Sequence, residues 1–115
     1  MSGPAIRTIK GLHGAVEKEL EGLYSTIMRD TSIDGNVADL LIDLSSKIRY
    51  MLKGRRCIDD AIGKAYDLAR DIERAGKFAH RDDIAAIGEE VVQLILGYMR
   101  AYKDDEIFGM EDEEV

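Results

Sequence analysis

Three stretches of this chain gather residues whose types and spacing could do chemistry. Arg49, Lys53, Arg55 and Arg56 fall within eight residues, with Gly54 to turn the backbone and Tyr50 alongside. Clustered cations suit phosphate or the backbone of nucleic acid, where they replace condensed counterions. The same residues also read as cations at a helix C-terminus, where the dipole favours them. Cys57 adjoins this patch, and neighbouring positive charge favours a thiolate. It is the chain's one cysteine, so it has no redox partner and reads as a structural thiol. His13 and Glu17 stand four residues apart, a spacing that puts two metal ligands on one helical face. A metal would need further carboxylates or imidazoles from a facing helix. Asp39, Asp43, Asp67 and Asp71 fall opposite the apolar stripes of their helices, so they are expected to be solvated. His13 then reads as a core or interface histidine, and no cofactor is expected. Arg74 and His80 are the third set, one to stabilise phosphate charge and the other to handle a proton.

Helices must position all of these. Ile6, Ile9, Leu12, Val16, Leu20, Leu23, Tyr24 and Ile27 recur at three- and four-residue steps, which predicts a helix from about Ala5 to Arg29. Pro4 suits its first turn, and Ser2 or Gly3 is the expected cap. Residues 30–36 are dense in turn formers and predict a loop. A second helix, about Val37 to Leu52, is expected after an Asn36 cap, with the stripe Val37, Leu40, Leu41, Leu44, Ile48, Met51 and Leu52. A third, about Ile58 to Arg74, carries Ile62, Ala65, Ala69 and Ile72, and Gly76 followed by Phe78 reads as its glycine cap. The fourth, about Asp83 to Tyr102, follows an Asp82 cap. Its stripe of Ile84, Ile87, Val91, Leu94, Ile95, Tyr98, Met99 and Tyr102 is widened by Val92 and Leu96. A helix so apolar is central in its bundle or buried against a second chain. The fold expected is all-α, an antiparallel four-helix bundle over residues 1–102.

Composition narrows the function classes. The chain has 115 residues, 45% hydrophobic and 34% charged, enough for one closed core and too little for two. The net charge of −7 is unevenly placed. Residues 103–115 carry seven acidic groups against Lys103 alone, hence −6, and leave −1 on the body. Such a tail is expected to be disordered and solvated, with Ile107, Phe108 and Met110 as apolar anchors if it docks. One cysteine excludes an intramolecular disulfide and suits a reducing cytoplasm. No apolar run approaches the length of a membrane span, and Met1-Ser2-Gly3-Pro4 lacks the layout of a signal peptide.

Two resemblances accompany this reading. Arg74-Ala75-Gly76-Lys77-Phe78-Ala79-His80 resembles the Arg-x(4–6)-His motif of HEPN-type ribonucleases, small dimeric helical bundles. That resemblance implies a phosphate-stabilising Arg74 and a proton-handling His80, although Gly76 is expected to end the helix on which the motif sits. Arg29-Asp30-Thr31-Ser32-Ile33-Asp34-Gly35-Asn36-Val37, with Glu90-Val91-Val92 further on, is similar to a family of small uncharacterised archaeal proteins. There an Asp-Thr-Ser-(Val/Ile)-x-x-Asn turn opens one helix, and a Glu-Val-Val helix closes a compact bundle. The match spans about residues 28–96 and implies the bundle and no reaction.

The residues favour a non-enzymatic bundle acting by self-association and protein–protein interaction, as a homodimer and within a larger complex. The alternative is a nucleic-acid-directed protein or ribonuclease using Arg74, His80 and the basic corner. Met28, Ile42, Val92 and Leu96 lie off the main stripes and are the expected dimer interface.

Overall fold

The periodic stripes become helices that fold back on one another in sequence order. The computed structural model describes residues 8–30, 32–53 and 58–104. Four helices are present among them and no strand: α1 Ile9–Arg29, α2 Gly35–Lys53, α3 Ile58–Phe78 and α4 Asp82–Asp104. Each packs beside its neighbour in the chain, and α4 closes the ring against α1. With connections this short, the arrangement is an antiparallel four-helix bundle. The tail expected to be disordered falls, from residue 105 onward, outside the described residues; its first two residues continue α4. Cys57, Arg55 and Arg56 also lie outside them.

The N-caps of α1, α2 and α4 differ from expectation, each in favour of a residue whose backbone or side chain reaches the first free N–H groups. α1 starts at Ile9, not Ala5, because Thr8 is extended (φ −120°, ψ 151°) and its hydroxyl accepts from Gly11 N–H at 2.9 Å. That bond satisfies one orphan donor of the first turn. α2 is capped by Asp34, not Asn36: its carboxylate accepts from Asn36 N–H at 2.7 Å, and its carbonyl accepts from Ala38 N–H at 2.9 Å. At α4 the cap position belongs to Arg81, whose carbonyl accepts from Ala85 N–H at 3.0 Å. Asp82 and Asp83 occupy the first turn, where carboxylates meet the positive end of the dipole.

α3 runs through Gly76 and ends four residues later than expected, at Phe78. His80 takes the left-handed conformation (φ 58°) usually given to glycine. His80 N–H donates to Lys77 O at 3.0 Å and Arg81 N–H to Gly76 O at 2.8 Å, the paired bonds of a Schellman motif. Gly76 serves a different purpose. A Cβ there would stand 2.5 Å from Ala85 N, and one at Gly88 would stand 2.6 Å from Glu73 N. Both glycines let the α3 and α4 backbones touch.

The core is one cluster drawn from all four helices, including Leu12, Leu20, Leu41, Ile48, Ala65, Ile72, Ile84 and Ile95. Val92 is buried inside the single chain, and Ile42 and Leu96 pack half-buried against the core. The wide stripe of α4 is therefore taken up by its own neighbours, α3 and α1. A helix with two flanking helices needs a broader apolar face than one lying on a single surface. Of the four residues expected at an interface, only Met28 is strongly exposed. Leu40 and Met99, expected in the core stripes, are also exposed. No helix of the described residues is long and apolar enough to cross a membrane.

Candidate functional site

The seam between α1 and α2 takes up two of the sequence candidates. Glu17 Oε1 lies 3.8 Å from His13 Nε2, and Glu17 Oε2 lies 3.2 Å from Arg49 Nε. Arg49 also covers the Tyr24 ring, 4.5 Å from its centre, and the Tyr24 hydroxyl is 3.0 Å from Ser46 Oγ. Burial acts to raise the Tyr24 hydroxyl, but hydrogen bonds with Ser45 and Ser46 and the Arg49 charge outweigh it and hold the hydroxyl below its ordinary value. His13 Nε2, Glu17 Oε1 and Arg49 Nε are buried without a hydrogen bond, so the cluster is held by charge and the cation–π contact. Arg49 turns its guanidinium into this seam, and Lys53 is exposed at the end of α2. A metal at His13 and Glu17 meets the Arg49 guanidinium in its place. Among the described residues no group of three potential ligands surrounds the pair.

Arg74 and His80 are both exposed, one on α3 and the other in the turn that follows it. Arg74 is exposed on α3 with its guanidinium 3.5 Å from Asp71. His80 lies beyond the helix end, its backbone fixed in the turn and its side chain exposed. Asp39, Asp43, Asp67 and Asp71 are all exposed. Beside the turn, Arg81 binds Asp83 through Nε (3.1 Å) and Nη2 (2.8 Å), and its Nη1 stands 2.6 Å from Asp30 Oδ2. Asp30 accepts in turn from the Ser32 N–H and hydroxyl. These Ser32 bonds, with Arg81, hold the Asp30 carboxyl below its usual range, and Arg81 does the same for Asp83. The corner ties the α1–α2 and α3–α4 turns together, with Arg81 Nη1 held to Asp30 by charge and not by a hydrogen bond.

An apolar groove lies open between α2 and α3. It is lined by Val37, Leu40 and Leu44 on one side and by Ala75 and Phe78 on the other, with Asn36, Asp71 and Arg74 at its polar edges. Phe78 is 83% exposed and Leu40 47% exposed. The helix wheel already carries the signal: six residues beyond Ile72, Phe78 points away from the Ala65–Ala69–Ile72 stripe. Reading Phe78 as the trailing contact of a Gly76 cap hid this. With the helix continued to Phe78, the ring projects from its last turn into solvent.

Comparison with known proteins finds no match of the chain to a protein-family model, a curated protein or a solved structure. The function is therefore argued from these residues.

Proposed function

We propose that this chain is a non-enzymatic association module of the cytoplasm, and that the α2/α3 groove is its docking face. The observation that carries the reading is Phe78, a large apolar ring left 83% exposed at the rim of an apolar groove. A buried Phe gains about 1.5–3 kcal/mol over an exposed one, and aromatic side chains beside a pocket are typical anchors of interfaces. The polar clusters support the same reading. Glu17 pairs with Arg49, Arg81 pairs with Asp30 and Asp83, and each cluster joins elements of the bundle.

Position-specific crosslinking tests the proposal. With p-benzoylphenylalanine replacing Phe78 in the full chain in its native cell, irradiation should yield a discrete covalent adduct. The same group replacing Lys18, exposed on α1, should yield none. Position 78 yielding no adduct overturns the reading.

A further inference from the structure

Four buried side-chain polar atoms lack a hydrogen bond among the described residues, and three of them meet in the α1/α2 seam: His13 Nε2, Glu17 Oε1 and Arg49 Nε. We infer that these residues form a proton-operated clasp. A protonated His13 competes with Arg49 for the Glu17 carboxylate and loosens the guanidinium from the seam.

The geometry supplies one anion for two cations. Glu17 Oε1 faces His13 Nε2 at 3.8 Å, and Glu17 Oε2 faces Arg49 Nε at 3.2 Å. Among the described residues, Glu17 is the only carboxylate within 4 Å of either group. With His13 neutral, Glu17 and Arg49 balance, and the guanidinium lies over the Tyr24 ring, 4.5 Å from its centre. Imidazole is the side chain whose charge ordinarily changes between about pH 5 and 8. A proton on Nε2 sets a charged donor against Oε1, an acceptor that has none. Two cations then share one carboxylate and repel each other in a sheltered seam, so the hold on Arg49 weakens.

The surrounding groups leave that balance to these residues. On α1, Lys10 and Glu21 are exposed, and Tyr24 lies further along the same flank. On α2, the cations towards α1 are Arg49 and, one turn on, the exposed Lys53. α4 packs beside α1 with its Tyr98 phenol buried in the core and Arg100 exposed. A released Arg49 stands one turn from Lys53, so the end of α2 presents two cations in acid and one at neutral pH.

Nuclear magnetic resonance of the full chain tests this, because His13 and His80 are its two histidines and His80 is an exposed control. From about pH 7.5 to about pH 5.5, the nuclear Overhauser contact between Arg49 Hδ and the Tyr24 ring should weaken at least about twofold, following the His13 titration. His13→Gln should abolish that change, and His80→Gln should leave it. Glu17→Gln should lower the proton affinity of His13 and Arg49→Gln should raise it, each by about twofold or more, without moving His80. An Arg49–Tyr24 contact that stays constant over this range overturns the clasp. So does a change that survives in His13→Gln, or a His13 titration that neither variant moves. The contact itself is read in the unmodified chain, so the test holds whether or not a seam variant keeps its fold.

Discussion

The α3/α4 pair and the α1/α2 pair are both antiparallel helices joined by short turns, yet they are held in different ways. Between α3 and α4 the contact is backbone on backbone: Gly76 and Gly88 leave no room for a Cβ, and buried Ala65, Ala69 and Ala85 keep the helices near. Between α1 and α2 the helices stand further apart, and Tyr24, Arg49, Glu17, His13 and Ser46 fill part of the seam. Gly14 and Gly22 on α1 face open space. The same residue type is therefore a steric necessity in one half and a conformational cost in the other.

The most damaging way to break this contrast is at Gly88. Its Cβ would meet Glu73 N at 2.6 Å and Glu73 Cα at 2.9 Å, atoms that cannot swing away. Gly88→Ala should cost about 2–3 kcal/mol by overpacking, outweighing the better helix propensity of alanine. Urea unfolding of the two proteins measures it, and an unchanged midpoint would remove the close-contact argument. Next comes Arg49→Ala, which takes the counter-charge from Glu17 and the cation from Tyr24. About 1–2 kcal/mol should be lost, since Glu17 Oε1 is already buried without a hydrogen bond.

Smaller effects run the other way. Gly22→Ala meets nothing within 4 Å and should stabilise the chain by up to about 1 kcal/mol. His80→Gly should gain a similar amount by relieving a side chain from the left-handed region, whereas His80→Ala should not. Thermal midpoints of the three variants would sharpen the comparison, because opposite signs at Gly22 and Gly88 cannot come from propensity alone.

The smallest expected effect is acid sensitivity centred on α3 and α4. Glu73 is held below the usual carboxylate range first by Lys77, at 3.2 Å, and then by Arg70, against the opposing effect of burial. Asp83 and Asp30 are lowered as well. A carboxyl whose folded pKa is depressed contributes stability that is complete above its unfolded pKa, about 4, and is lost as pH falls through the folded value. Unfolding midpoints should hold steady from neutral pH to about 5 and then fall. Glu73→Gln should lessen the fall below about pH 4; an identical slope would show that Glu73 does not contribute.

Much of the bundle was legible from residue order. Leu12, Val16, Leu20 and Leu23, or Ile84, Val91, Ile95 and Tyr98, recur at helical spacing, and burial follows that spacing in the structure. Turn formers at 30–36 marked the break between α1 and α2, although α2 already begins at Gly35. The caps were less legible: Asp34 stands close to Asn36, of equal capping propensity, and Arg81 holds the cap position although Asp82 beside it is the better capping type. Which of them bonds depends on where the neighbouring helix directs the chain. Phe78 was hidden by a plausible local alternative, a glycine cap two residues earlier.

What the sequence determined by itself is the class of fold: helix formation depends on contacts three and four residues apart, and periodicity records those directly. Tertiary structure alone decided the rest. Whether a glycine is needed depends on what backbone lies across from it, and Ala85 and Glu73 are nine and fifteen residues away from Gly76 and Gly88 in the chain. Whether Val92 is a surface or a core residue depends on how many helices flank α4. Whether Arg49 belongs to a basic patch depends on the reach of a guanidinium to Glu17, 32 residues earlier on another helix. The groove exists only because α2 and α3 lie side by side and leave Leu40 and Phe78 uncovered. Such distances across the bundle are set by packing many side chains at once, and no local pattern encodes them.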